Sequence, residues 1–199
     1  ILGAGVVGKS ALKMAMGMGA YVTILDKNLD RLREIDDLYG NRVHTLYSNV
    51  ANIERAILAA DVVIGGVLIP GASAPKLVSK LLVSQMKPGS VLVDVAIDQG
   101  GCFETSSPTT HENPIYMVDD VVHYCVANMP GAVARTSTMA LTNATSPFIL
   151  KIANKGVCQS FKEDAHLLNG LNVYQGHITC EAVARAQGLE FMDPKNMFH

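Results

Sequence analysis

Charge is scarce in this sequence. Only 17% of its 199 residues are Asp, Glu, Lys or Arg, and they nearly cancel, at a net −2. Such a balance leaves no basic stripe, which argues against nucleic acid or an anionic membrane surface as the partner. Cysteine is also sparse. Cys102, Cys125, Cys158 and Cys180 form no CxxC pair, so they are expected to be reduced thiols of a cytoplasmic protein. His111 and His123 have no i, i+4 partner and no cysteine at ligand spacing, so no metal site is expected. There is no G-x-S-x-G elbow, and no Walker lysine follows the glycines. The longest apolar stretches, such as Val62–Pro70, are too short to span a bilayer. No signal peptide is expected, because the first residues already read as a structural element. Internal repeats and low-complexity tracts are missing as well.

What remains is an apolar chain, 49% hydrophobic, long enough for one full core and an appendage. Ile1 and Leu2 run straight into a glycine turn, so a first strand would be almost without length. That truncation, with no initiator Met, predicts that further residues precede Ile1. From there apolar runs alternate with helical patterns. Val6 to Met18 reads as a helix ended by Gly17 and Gly19, Tyr21–Asp26 as a strand, and Leu29–Leu38 as a charged helix. Val43–Tyr47 reads as a strand, Ile53–Ala60 as a helix, and Asp61–Val67 as a buried strand. Pro75–Gln85 reads as a helix with Pro at its start. Val91–Ile97 and Val121–Val126 complete the strands.

Continuous apolar strands separated by helices predict a parallel sheet covered on both faces. With right-handed crossovers, the expected fold class is α/β: a doubly wound Rossmann-type parallel sheet of about six strands. A long helix is predicted over 135–153, interrupted at Pro147, with Thr136 or Ser137 as its N-cap. A further helix is predicted over Ile178–Gln187. The expected domains are 1–134 (dinucleotide-binding), 135–156 (connecting helix) and 157–199 (a segment returning to a domain not contained in this chain).

Gly3-Ala4-Gly5-Val6-Val7-Gly8 fits G-x-G-x-x-G, a weak signal alone among 17 glycines. Its context between strand and helix strengthens it. The first glycine permits the tight turn, the second admits a pyrophosphate, and the third lets helix pack on strand. The free N–H groups and positive end of the next helix favour a diphosphate. Asp26 closes the following strand, where a carboxylate accepts ribose hydroxyls. It selects NAD over NADP by repelling a 2′-phosphate, a selection softened by Lys27 and Arg31. A plain glycine turn with a surface Asp is the competing reading.

In an open parallel sheet, ligands lie beyond the carboxyl ends of the strands. Val67 and Leu68 leave the fourth strand and Val95, Ala96, Ile97 and Asp98 the fifth, so these are candidates to cover the cofactor. Ordinary core is the alternative for Val67 and Leu68. Asp98 precedes a Gln-Gly-Gly turn and is the acid best placed for proton transfer. The alternative is an Asp bonding its own turn. Asp94 reads as a structural, buried acid. Val126, Ala127, Asn128 and Met129 follow the sixth strand, and Asn128 carries a donor and an acceptor suited to a carboxamide.

Taken together, LGAGVVG (Leu2–Gly8), LDKNLDRL (Leu25–Leu32), VLIPGASAPKLV (Val67–Val78), MKPGSVLVDVAIDQGGCFET (Met86–Thr105) and HYCVANMPGAVARTSTMALTNAT (His123–Thr145) closely resemble the alanine dehydrogenases. Their wider group includes the NAD domain of proton-pumping transhydrogenase. The resemblance covers nearly the whole chain. It implies reversible, NAD-dependent oxidative deamination of L-alanine to pyruvate and ammonium, in a homohexamer. By the same resemblance Asp98 matches the catalytic aspartate, and Asp26 and Arg31 match positions beside the adenosine ribose. Ser48 matches an adenine-side contact, and Val6 and Val7 lie at the diphosphate turn. The segments Val67–Leu68, Val95–Asp98 and Val126–Met129 match those lining the cofactor. Two departures stand out: Ser107 where some members have Arg, and Ala134 where some have Pro. The resemblance also implies a preceding substrate domain, without which the chain should bind NAD(H) and turn over nothing. A transhydrogenase NAD-binding domain and a non-catalytic NAD-sensing module are the alternatives.

Overall fold

The computed structural model describes residues 1–67 and 74–198. The chain divides into two compact units, of which the described parts are 1–67 with 74–129, and 130–198.

The first unit is built on a sheet whose strands alternate with helices: α1 (Val6–Gly17), β1 (Val22–Asp26), α2 (Leu29–Tyr39), β2 (Val43–Tyr47), α3 (Val50–Ala59), β3 (Val62–Gly65), α4 (Lys80–Val83) and β4 (Val91–Asp94). An antiparallel pair, β5 (Ile115–Val118) and β6 (Val121–Tyr124), closes it. β1 pairs in parallel with β2, and β3–β4–β6 form a parallel run. Leu2 joins the two halves by bridging Leu25 on one side and Gly65 on the other. The spatial order is therefore β2–β1–Leu2–β3–β4–β6–β5, the doubly wound arrangement that the alternating pattern predicts. The first strand is reduced to the Leu2 bridge.

Neighbouring residues of β1 feed opposite faces. Ile24 packs with Leu12, Leu32 and Ile35 from α1 and α2, whereas Leu25 packs with Ile53, Ile57, Val63 and Leu92. Each helix shows this side preference in its sequence: Leu32 and Ile35 are buried on an otherwise charged α2. Asn28 caps α2 by accepting from the N–H groups of Asp30 and Arg31, and Asn49 caps α3 by accepting from Asn52.

Three expectations in this unit need correction. The helix expected over Pro75–Gln85 shrinks to α4. The N–H groups of Leu77 and Val78 donate to the Cys102 carbonyl, and Val78 bridges Phe103. This extended pairing holds the backbone until Ser79 caps the helix at Leu82. The strand expected over Val91–Ile97 stops at Asp94, and Ile97–Gln99 forms a single 3₁₀ turn. The sixth strand runs antiparallel to an unforeseen neighbour, β5, through a turn in which Asp119 and Asp120 both take positive φ (50° and 60°).

The second unit contains α5 (Ala134–Glu163), α6 (Ala165–Asn169), the hairpin β7 (Val173–Tyr174) and β8 (His177–Ile178), and α7 (Glu181–Gln187). The break in α5 falls at Gly156 (φ 76°, ψ 168°) and not at Pro147. Gly tolerates that backbone where other residues do not, whereas Pro147 merely deprives the Asn143 carbonyl of its helical partner. Beyond Gly156 the chain folds back: Lys151 pairs with Asp164 at 2.8 Å, and Ser160 Oγ donates to the Lys151 carbonyl. Neither Thr136 nor Ser137 caps α5. The cap position is Val133, without a side-chain bond, and Ser137 Oγ donates to the Pro130 carbonyl. The helix expected from Ile178 begins at Glu181, because Ile178 is taken into the hairpin, whose turn is Gln175-Gly176 at φ 49° and 84°. Phe198 stacks on Phe161 with centroids 5.4 Å apart and lies 4.9 Å from Tyr174. No helix among the described residues is long and apolar enough to cross a membrane.

Candidate functional site

The parallel register lines up the carboxyl ends of the strands. Asp26 pairs with Tyr47, Leu25 and Gly65 both flank Leu2, Gly65 pairs with Asp94, and Val93 with Tyr124. Ser48, Gly66 and Val67, Val95 to Asp98 and Val126 to Asn128 therefore leave the sheet at one edge. This is where the chain pattern places a ligand.

At the first turn the three glycines do three different things. A Cβ on Gly8 would stand 1.8 Å from the Gly3 carbonyl oxygen, so only glycine lets α1 approach this closely. Gly3 has φ 99°, and its missing Cβ faces the Gly66 carbonyl at 2.9 Å. Gly5 differs: nothing lies nearer its missing Cβ than the Arg31 guanidinium at 3.9 Å, so its face is open. Gly5 is the N-cap of α1, with no side-chain cap bond. Its 12 residues end in unsatisfied N–H groups and a partial positive charge aimed across that open face, an arrangement that binds phosphate. Val6 is exposed and Val7 packs beside Gly66.

Asp26 ties the turn to β1. Its Oδ2 accepts the Ala4 N–H at 2.6 Å and its Oδ1 the Asn28 N–H at 2.8 Å, while Arg31 lies 3.9 Å away. Each oxygen keeps a further lone pair, so the carboxylate is fixed in place and still able to accept hydroxyl protons. Ser48 is buried beside it, its N–H donating to the Asp26 carbonyl. These groups fit a dinucleotide: an open glycine face for the diphosphate and a held carboxylate for the sugar.

Along the edge, Val95 N–H donates to the Gly65 carbonyl, and Ala96 and Ile97 are buried. Asp98 is exposed on the 3₁₀ turn. The turn is organised from beneath by Asp94, fully buried, whose Oδ1 accepts from Ala96 N–H (3.1 Å) and whose Oδ2 accepts from Cys102 N–H (2.8 Å) and Ser106 Oγ (2.5 Å). Asp94 is thus the structural acid the strand pattern suggests, with more partners than sequence reveals. Burial pushes the Cys102 thiol up to about 11, so it stays neutral beneath the turn. Val126 is buried, Ala127 N–H donates to the Thr109 carbonyl, and Asn128 sits exposed at φ 59° with its carbonyl accepting from His111. Met129 opens a 3₁₀ turn. Leu68 lies outside the described residues. The Ser107 N–H donates to the Tyr116 hydroxyl at 2.7 Å, a local bond.

A cavity of about 920 Å³ is lined by residues of β1 and β3, among them Val22, Leu25, Val62 and Ile64, with Leu2 between them. Asp26, Gly66 and Asp98 do not line it, so the cleft of interest is the open carboxyl edge.

A family model described as "Alanine dehydrogenase/PNT, C-terminal domain" matches residues 1–181. The chain belongs to this family. Its sequence is 57% identical over 197 residues to an alanine dehydrogenase of Halomonas elongata, covering 99% of this chain and 53% of that protein. It is 58% identical over 193 residues to an alanine dehydrogenase of Bacillus subtilis, covering 96% and 51%. Among solved structures, an L-alanine dehydrogenase superposes with a TM-score of 0.83 at 52% identity, covering 94% of this chain and 52% of that one. A transhydrogenase from Sinorhizobium meliloti superposes at 0.70 with 25% identity, covering 91% and 48%. This member of the alanine dehydrogenase/PNT family thus spans about half the length of the curated relatives it matches.

Sequence reasoning misses two contributors to the site. Gly66 is one: a Cβ there would stand 3.1 Å from Val7 Cγ1, so its absence makes room for Val7. The adjacent glycines Gly65-Gly66 inside an apolar strand are its signal. Lys76 is the other: its ammonium donates to the carbonyls of Gly100 and Phe103 in the loop after Asp98, a placement hidden by the expected helix over Pro75–Gln85.

Proposed function

We propose that a protein containing this chain catalyses reversible oxidative deamination of L-alanine to pyruvate and ammonium with NAD, this chain supplying the dinucleotide-binding part. The observation that carries the reading is the shared edge: an open Gly5 face, a held Asp26 and an exposed Asp98 all leave one end of one sheet. The 57% identity to an alanine dehydrogenase supports the choice of substrate.

When bound, NAD supplies the hydride acceptor. The residues of the chain do the rest. The α1 N-terminus and the Gly5 face receive the diphosphate, and Asp26 accepts the ribose hydroxyls. Arg31 covers the turn, Ser48 bounds the adenine side, and Val6, Val7 and Val67 line the apolar walls; the family resemblance adds Leu68. Val95–Ile97 and Val126–Met129 bound the far end. Asp98 holds or moves a proton at the substrate, as an exposed carboxylate on a fixed turn can. Residues 135–156 serve as a connecting helix and 157–199 complete a substrate domain, in a cytoplasmic homohexamer. The greater identity and higher TM-score favour alanine dehydrogenase over a transhydrogenase NAD domain.

The test is an assay of alanine-dependent NADH formation. A full-length protein carrying this chain should turn over, while the 199 residues alone should bind NADH and remain inactive. A full-length protein that reduces no NAD with alanine contradicts the proposal.

A further inference from the structure

The turn that carries Asp98 is held from two sides by groups of opposite charge. On one side is Asp94, which collects N–H donors from Ala96 and Cys102 and the Ser106 hydroxyl. A Cβ on Gly101 would stand 2.5 Å from its Oδ2, so the loop is drawn tightly onto the carboxylate, with Gly100 and Gly101 both at positive φ. On the other side, residues 74–80 run along residues 99–104. Ala74 N–H donates to the Gln99 carbonyl (2.8 Å), Leu77 N–H to Cys102 (2.8 Å), and Glu104 N–H to Val78 (2.9 Å). Midway along this ladder, the Lys76 ammonium donates to the carbonyls of Gly100 and Phe103 (3.1 Å to the latter).

Carboxylate and ammonium thus divide the polar groups of one loop between them. Asp94 takes the N–H groups that point inward, and Lys76 takes the carbonyls that point outward. Charge-assisted bonds of this kind are about twice as strong as neutral ones. They bracket Asp98, at Ala96 before it and from Gly100 to Ser106 after it, while the Asp98 side chain makes no hydrogen bond among the described residues. We propose that Lys76 and Asp94 are positioning residues that clamp the Asp98 turn, so that the proton-handling carboxylate is presented at a fixed height above the sheet edge. The inference rests on the assignment of Asp98 to proton transfer. Lys76 is the informative member, because Asp94 is buried and its removal threatens the fold.

The experiment uses the full-length enzyme with Lys76→Met, which keeps the aliphatic stem and removes the donors. The clamp predicts that kcat for alanine falls about 10- to 100-fold, as expected for a displaced reactive group, with KM and NADH affinity within about twofold. It predicts faster hydrogen exchange across residues 95–106, with residues 22–47 unchanged. Lys76→Arg, whose fork can still reach two carbonyls, should recover most of the loss. An unchanged kcat together with unchanged exchange at 95–106 would overturn the proposal. Asp98→Asn, run in parallel, separates the two ideas. If it leaves kcat intact, the role of Asp98 is wrong, while the exchange result for Lys76→Met still decides the clamp.

Discussion

Two carboxylates stand on the same sheet edge and are treated in opposite ways. Asp26 is itself held, accepting two backbone N–H groups with an arginine nearby and a side chain only 14% exposed. Asp98 is exposed, and the bonds go to the loop beneath it. A group that binds gains from being fixed in advance, because less ordering remains when the ligand arrives. A group that exchanges protons needs open lone pairs, so rigidity is supplied through its neighbours. With the roles proposed for Asp26 and Asp98, the fold separates binding from chemistry by choosing which atom to tie down.

The largest expected effect breaks this comparison at the Asp98 end. Asp98→Asn in the full-length protein should lower kcat about 10²- to 10⁴-fold, the usual range for a lost general acid–base, with the NADH dissociation constant within about twofold. Steady-state rates and fluorescence titration measure the two separately. Asp26→Ala should do the reverse. NADH affinity should fall about 10- to 100-fold, in keeping with about 1.5–3 kcal/mol for hydrogen bonds to a charged group. Its unfolding midpoint should also drop, because the Ala4 and Asn28 N–H groups lose their acceptor.

The smallest effect is a pH dependence on the Asp98 side. His123 is fully buried, with Nδ1 bonded to the Val121 carbonyl and Nε2 to Thr105 Oγ1, and its ring stacks on Tyr116. Burial holds its pKa below the usual histidine value. The folded state therefore takes up its proton less readily than the unfolded chain, whose histidine titrates near pH 6.5. Stability from the neutral ring is present above that pH and declines as pH falls through the folded value. Thermal unfolding should show a lower midpoint at pH 5.5 than at 7.5, with a narrower gap in His123→Gln.

Much of this edge is legible in the chain itself. Glycine spacing, an acid closing the next strand, and apolar runs of strand length are local signals, and β1, β2 and α1 appear almost where the pattern sets them. What escapes is decided by partners far along the chain. Residues 75–78 carry a helical pattern with Pro at its head, yet pairing with 102–104 holds them extended. β5 is four residues long and turns through Asp119-Asp120 rather than a glycine pair, so no hairpin signal announces it. The hairpin at Gln175-Gly176 does carry such a signal, obscured by the helical run after it. At Gly156 the backbone conformation matters more than the missing donor of Pro147. Besides Ala96, the partners of Asp94 are Cys102, Phe103 and Ser106, on a loop that returns eight to twelve residues later, which no periodicity encodes.

The central claim is that a dinucleotide diphosphate lies against the open face of Gly5. Titration of the native chain and of Gly5→Val with NADH, followed by fluorescence, tests it most directly, because an added Cβ there has the Arg31 guanidinium at 3.9 Å as its nearest neighbour outside the adjoining residues. The account predicts saturable binding for the native chain and loss of at least about tenfold in affinity, some 1.4 kcal/mol, for a Gly5→Val variant with unaltered circular dichroism. Equal affinity in the two proteins, or no saturation in the native chain, would contradict it.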